Sequence, residues 1–344
     1  MKKFILITFL ACFSCSKKEV LPPETAEERA EVEAFIRKTD TLYKDFKLHL
    51  PDYFADSRHL YSMRDSTIKE FLVHNGINRT FYYADFDGNG IDDILVMGDN
   101  PSVCGGLQSG EPCMFCCLVV LKYPESKPKV IKLQRGWRGL FVPQVVKQNG
   151  KPLIHIFEPA QYIINTQIIP VRRYTLGYVN GEFIEYNPKP TYNEIEKIEF
   201  YADSCFGTCP MYQLTLNKTG ASYFIARHYN FSDEIGKDYN KEEGFFKCHI
   251  NKNDYVSPEK LLNYINAEKL NTYYQVLGTD QSTGFLKITY SNGNTKKIGD
   301  YGKVGTYGLM KLYGLMDEIR FNQKWEKTTE KPGIRMGLEE WYAK

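Results

Sequence analysis

The sequence has no excess of charge of either sign, no apolar run long enough to cross a bilayer, and none of the familiar catalytic signatures. Its 344 residues carry 44 Lys and Arg against 42 Asp and Glu. Setting aside residues 1–14 removes two lysines and no acid, which leaves 42 of each. Nucleic-acid recognition rests on basic surface, so the balance gives no electrostatic case for a nucleic-acid partner. The histidines His49, His59, His74, His155, His228 and His249 are scattered, with no His-Glu-x-x-His spacing. Gly-x-Ser-x-Gly elbows, Walker loops and dinucleotide fingerprints are also missing, so hydrolase, nucleotide and NAD readings lose their usual handles. No motif compels an enzyme.

What is there begins at the N-terminus. Lys2 and Lys3 precede the apolar run Phe4 to Ala11, and the polar stretch Ser16 to Glu19 follows it closely. Spanning a bilayer takes roughly 20 apolar residues, so this run reads as an export signal rather than a transmembrane helix. Small residues before Cys12 suit cleavage there. Cleavage at Cys15 leaves a longer apolar run and a Cys-Ser-Lys-Lys start that resembles bacterial lipoproteins of the Bacteroidetes type. Cys15 is the expected lipidated residue, with Cys12 as the alternative. The resemblance implies a lipid anchor to a membrane and a cell-envelope location, facing the periplasm or the cell surface.

The remaining length is enough for about two domains at roughly 150 residues each. Ser16 to Glu24, with Pro22 and Pro23, reads as a tether. Thr25 and Glu28 stand at capping-box spacing, and Val32, Phe35, Thr39, Leu42 and Phe46 form one face of a helix ending near Leu50-Pro51. A second helix is expected over Asp65 to His74. Short aromatic and β-branched runs then alternate with turn signals such as Asn149-Gly150 and Asn180-Gly181, as in an antiparallel meander. Asn187-Pro188-Lys189-Pro190 disfavours both helix and central strand and marks the internal boundary. Beyond it come strands, a helix opened by Ser257-Pro258, a hairpin turning at Asn292-Gly293, and a closing helix through Leu309, Leu312, Met316 and Ile319. The expected fold is α+β in two domains, residues 25–187 and 191–325, each an antiparallel sheet with packed helices, followed by a tail over 326–344.

Asp85-Phe86-Asp87-Gly88-Asn89-Gly90-Ile91-Asp92-Asp93 is the sharpest local chemistry. Asp85, Asp87 and Asn89 offer side-chain oxygens, Ile91 a backbone carbonyl and Asp93 a carboxylate, with Gly90 permitting the tight turn that a hard cation needs. Val96 stands where an EF-hand would place its bidentate Glu, so that motif is disfavoured. The loop resembles the calcium-binding turns of FG-GAP and VCBS repeats in integrin-like β-propellers, over about fifteen residues. A single copy does not support a propeller, which needs at least four blades. The expected cofactor is structural calcium, although acidic glycine-rich turns also form without metal.

If Cys15 carries lipid and Cys12 leaves with the signal, seven cysteines remain: Cys104, Cys113, Cys116, Cys117, Cys205, Cys209 and Cys248. In an exported chain these are disulfide candidates. Cys116 and Cys117 are neighbours on an expected strand and so face opposite ways, which argues against one zinc binding the four from Cys104 to Cys117. Cys205-Phe206-Gly207-Thr208-Cys209-Pro210-Met211-Tyr212 resembles the signature of an uncharacterised bacterial domain, domain of unknown function 6438, over about residues 194 to 325. That resemblance implies a domain identity and no activity. Thioredoxin-like sites place two residues between their cysteines and precede a helix, whereas here three residues precede a strand, so a structural turn is favoured over a redox one. Gly299 to Gly305 reads as turn chemistry before the last helix, or as the lining of a ligand cleft. The functional expectation is a non-catalytic envelope lipoprotein that binds a protein or glycan partner. The alternative is an exported enzyme or thiol-redox factor centred on Cys205 and Cys209.

Overall fold

The computed structural model describes residues 22, 24–51, 62–100, 115–134, 141–158, 161–162, 168–169, 171–230, 243–276 and 279–330. The expected export signal, with Cys12 and Cys15, lies outside the described residues, as do Cys104 and Cys113. Among the described residues no helix is long and apolar enough to cross a membrane.

Helix α1 (Ala26–Thr39) opens on the expected capping box: Glu28 N donates to Thr25 Oγ1 at 3.1 Å and Thr25 N to Glu28 Oε2 at 2.7 Å. The expected continuation to Leu50-Pro51 does not occur. Asp40 is extended at φ −152°, and its carboxylate caps a short 3-10 turn at Thr41–Tyr43 by accepting from Leu42 N at 2.9 Å. Phe46 is buried as expected but from non-helical chain, and Leu42 is 57% exposed. Glu24, placed last in the expected tether, is pinned to the body. Its carboxylate accepts from Thr80 N, from Phe81 N at 3.0 Å and from Thr80 Oγ1 at 2.8 Å, and it pairs with Arg29 at 2.9 Å.

The first sheet holds β1 (Lys47–Leu48), β2 (Phe81–Ala84), β3 (Asp93–Asp99), β4 (Phe115–Leu121) and β5 (Lys129–Lys132). Its order is β1-β3-β4-β5, and β2 shares the β1 edge of β3. Both central strands are buried on both faces, which is why they read as continuous apolar runs. On one face Ile94, Val96, Leu118 and Val120 pack with Val32 and Ile36 of α1; on the other Leu95, Met97, Val119 and Leu121 enter the main core. Lys47 O lies so close to Gly98 that a Cβ there would meet it at 2.1 Å. Helix α2 (Ser62–Asn75) ends at Gly76, whose φ of 63° favours glycine. It packs Ile68 and Leu72 against Val142 and Phe157 of a second sheet.

That sheet runs β11-β10-β7-β6, from β6 (Val142–Gln148), β7 (Lys151–Glu158), β10 (Arg172–Val179) and β11 (Glu182–Glu185). A separate two-residue ladder joins β8 (Gln161–Tyr162) and β9 (Ile168–Ile169).

The third sheet has eight strands: β12 (Ile195–Ala202), β13 (Met211–Asn217), β14 (Ser222–His228), β15 (Gly244–Cys248), β16 (Tyr273–Gln275), β17 (Thr283–Tyr290), β18 (Thr295–Tyr301) and β19 (Glu326–Lys327). They lie in the order β16-β18-β17-β12-β13-β14-β15-β19, antiparallel except for the β16–β18 pair. Helices α3 (Lys252–Tyr264) and α4 (Tyr307–Asn322) pack on the face formed by Ile198, Phe200, Leu214, Phe224 and Leu286. Pro258 lies inside α3 rather than at its start, because Tyr255 anchors an earlier turn through its hydroxyl to Ile195 O at 2.6 Å. The molecule is thus mixed α and β, mostly strand, with antiparallel sheets and four α-helices among the described residues. One cluster of buried residues runs from Ala84 to Ile319 through all three large sheets and both C-terminal helices, so packing does not break at 187–190.

Candidate functional site

The acidic loop joins β2 to β3, as its flanking runs predicted. Asp85 accepts from Gly88 N and Asn89 N through Oδ1 and from Gly90 N through Oδ2, each at 2.9 Å. This wraps the backbone around one carboxylate. Gly88 and Gly90 take φ values of 77° and 84°, which residues with a Cβ adopt at a cost. Asp93, fully buried at the start of β3, accepts from Phe86 N at 2.9 Å and from Lys122 N at 2.8 Å. Carboxylate oxygens of Asp85, Asp87 and Asp93 all lie within 4.8 Å of one another. Asn89 turns its amide Nδ2 to Asp87 Oδ2 at 3.2 Å and to Lys122 O at 2.9 Å, and accepts from Ile91 N at 2.7 Å. Burial pushes the Asp93 carboxyl up, the N–H groups of Lys122 and Phe86 pull it down, and the Asp87 charge adds to the rise. Three clustered carboxylates repel one another, and an all-oxygen set of this kind suits a hard divalent cation. Phe86, between the first two aspartates, is buried and meets Phe183 of β11 edge-on at 5.6 Å, which ties the loop to the main core.

The cysteine turn joins β12 to β13. Cys205 and Cys209 are bridged, with Cα atoms 5.6 Å apart, and Phe206 at the tip is 87% exposed. Phe206 N donates to Asp280 O at 3.3 Å, and Ser282 Oγ to Asp203 O at 2.6 Å, so the neighbouring loop holds the turn. Tyr212, the last residue of the motif, points the other way and is fully buried. Its hydroxyl donates to Asp317, and the guanidinium of Arg320 stacks 4.4 Å from its ring while pairing with Asp317 at 3.2 Å. The motif therefore has an outward half, the clamp, and an inward half that anchors α4. Cys116 and Cys117, expected among the bridge candidates, are buried free thiols on opposite faces of β4. Cys248 closes β15 and lies opposite Ser222.

The glycine-rich approach to α4 is turn chemistry. The fully buried Asp300 accepts from Val304 N at 3.2 Å, Gly305 N at 2.8 Å and the Tyr313 hydroxyl at 3.1 Å. One partner of this turn comes from far away in the chain. Glu185 of β11 accepts from Tyr307 N at 2.7 Å and Gly308 N at 2.9 Å, the first N–H groups of α4, and the Tyr307 hydroxyl reaches Leu133 O at 2.9 Å. Pairing across more than a hundred residues leaves no periodic trace. Free helix N–H groups bind carboxylates well, so Glu185→Ala is expected to cost about 1–2 kcal/mol in urea unfolding. A loss under about 0.3 kcal/mol would mean that water replaces the carboxylate fully. An open cleft lined by Phe71, His74, Phe157 and Arg173 also had no sequence signal; its floor is the Phe71–Phe157 stack.

Comparison with curated proteins and with solved structures gives no match. Residues 196–320, from β12 through the cysteine turn and Tyr212 to Arg320 of α4, match the family model described as Domain of unknown function (DUF6438).

Proposed function

We propose that this chain is a cell-envelope lipoprotein, anchored to a membrane through Cys15 or Cys12, with a non-catalytic binding or structural role in which calcium and a disulfide supply rigidity. The Asp85–Asp93 loop is on this view an FG-GAP-like calcium turn, and the chain comprises two α+β units packed through one continuous core. The observation that carries it is the convergence of the Asp85, Asp87 and Asp93 carboxylates within 4.8 Å on a loop already wrapped around Asp85. Oxygens from Asn89 and the Ile91 carbonyl would complete the set, and the ion would cancel repulsion among the three acids. Its role is to hold the β2–β3 turn, and Phe86 with it, in one arrangement.

A thermal melt in calcium and in chelator tests this. A ligand bound only by the native state, at a hundred times its Kd, adds about 2.7 kcal/mol, so chelation should lower the midpoint by several degrees. Asp87→Asn keeps a side-chain oxygen for Asn89 N and removes one charge. It should abolish most of the calcium shift while leaving the chelated midpoint nearly unchanged. Equal midpoints of the native protein with and without calcium would remove the metal from the proposal.

A further inference from the structure

Alternate residues of the central strands in the eight-stranded sheet face away from α3 and α4, and two of their polar groups are unexplained. Gln213 Nε2 and Thr215 Oγ1 are buried without a hydrogen-bond partner, and the buried Glu199 Oε2 beside them is met only by ion pairs. They are neighbours: Glu199 lies opposite Thr215 across β12–β13 and opposite Lys287 across β12–β17, and Gln213 lies opposite Tyr201. A buried polar group left unmet costs about 1–3 kcal/mol, so two adjacent ones call for a partner. Beside Glu199 sit Lys197 and Lys287, 35% and 30% exposed, each with its Nζ 3.4 Å from the same Glu199 oxygen. One carboxylate shared by two ammonium groups leaves a net positive charge and most of their N–H donors unused. Arg227 adds a third cation, 5.9 Å from the Tyr201 ring, while the Tyr201 hydroxyl donates to Asp203 at 2.9 Å. Tyr201 and Phe285, stacked at 6.0 Å, form with Met211 a small apolar cluster apart from the main core.

We propose that this face binds an acidic saccharide, a sugar carrying a carboxylate among its hydroxyls. The proposal deepens the binding role above and rests on it. Strands β12, β13 and β17 are interior, with both edges paired, so an extended peptide could not add to them through its main chain. Recognition must come from side chains. The face offers donors in Gln213, Thr215 and the lysines and an acceptor in Glu199, and a sugar hydroxyl both donates and accepts. A carboxylate on the ligand would compete with Glu199 for the two flexible lysine ammonium groups. An acidic peptide side chain only accepts, and would offer no hydrogen bond to Glu199 Oε2.

The full chain can be titrated by calorimetry with a hyaluronate oligosaccharide, with neutral dextran and with poly-glutamate. Saturable hyaluronate binding is expected, weakened by added salt and weakened about tenfold or more by the pair Lys197→Ala and Lys287→Ala. Glu199→Gln keeps an acceptor oxygen and frees both ammonium groups, so it should tighten binding. Lys260→Ala on the exposed side of α3 should change nothing, and equal melting midpoints would show that all variants fold. Hyaluronate binding indifferent to the lysine pair would overturn the assignment of this face. Poly-glutamate or dextran binding in place of hyaluronate would overturn the acidic saccharide while keeping a binding role. Saturable binding of none of the three would overturn the proposal too, and would leave the calcium reading untouched because the melts test that separately.

Discussion

Tyr212→Ala is expected to lower the stability of the chain by about 3–5 kcal/mol. That is a large fraction of the whole stability of a typical domain, roughly 5–15 kcal/mol. Here the ring also carries the Arg320 guanidinium and delivers a hydroxyl to Asp317, so its loss removes a cation–π contact and a hydrogen bond as well as opening a cavity. Tyr212→Phe separates the two effects. It keeps the ring beneath Arg320 and removes one hydrogen bond to a charged acceptor, which is worth about 1.5–3 kcal/mol. Urea unfolding of both variants should rank Ala well below Phe. Equal losses would show that the bond to Asp317, rather than packing, holds α4 to the sheet. The outcome also bears on the cysteine motif, since it would mean that its inward half sets stability while its outward half is spared for other roles.

The second large effect is expected at Gly98→Ala. The added methyl would meet Lys47 O at 2.1 Å and the Phe46 ring at 2.6 Å, and a backbone carbonyl cannot swing aside as a side chain does. Overpacking of this kind costs about 1–3 kcal/mol, and sometimes more. Relief requires moving β1 off β3, so the register Lys47↔Asp99 and Leu48↔Gly98 should be lost. Amide exchange reads this directly: His49 N, which donates to Met97 O at 3.1 Å, should lose protection while the β3–β4 ladder keeps its own. Uniform loss of protection along β3 and β4 would mean that the first sheet fails as a whole.

Features written in neighbouring residues were legible in the sequence. The Thr25–Glu28 capping box, the Asn292-Gly293 hairpin, the apolar runs of β3 and β4 and the acidic loop each depend on contacts within a few residues. The end of α1 was not legible, because the apolar spacing through Leu42 and Phe46 continues past the point where the Asp40 side chain starts a different turn. Strands β11, β15, β16 and β19 are two to five residues long and carry too few alternations to stand out. The Glu185 cap, the Arg320 stack on Tyr212 and the Glu199 cluster are long-range pairings made only when distant segments meet. Of the expected cation ligands, the three aspartates converge, whereas the Asn89 amide is tied into the turn and reaches Lys122 O. The opposite facing of Cys116 and Cys117 was legible from their adjacency on a strand, whereas that both remain free thiols was not, because a bridge depends on which distant cysteine the fold brings near.

Those two thiols would bear on how long the protein survives heating rather than on how stable it is. Burial pushes the Cys116 thiol up to about 12 and that of Cys117 well above its ordinary value, so neither supplies a thiolate while β4 is closed. When the strand opens, both regain normal acidity in a chain that also carries the Cys205–Cys209 bridge. Thiolate attack on that bridge would then trap the opened chain in mispaired forms. Loss of the native protein on heating would follow the opening rate of β4 and become irreversible, with a half-life that shortens as pH rises toward the thiol range.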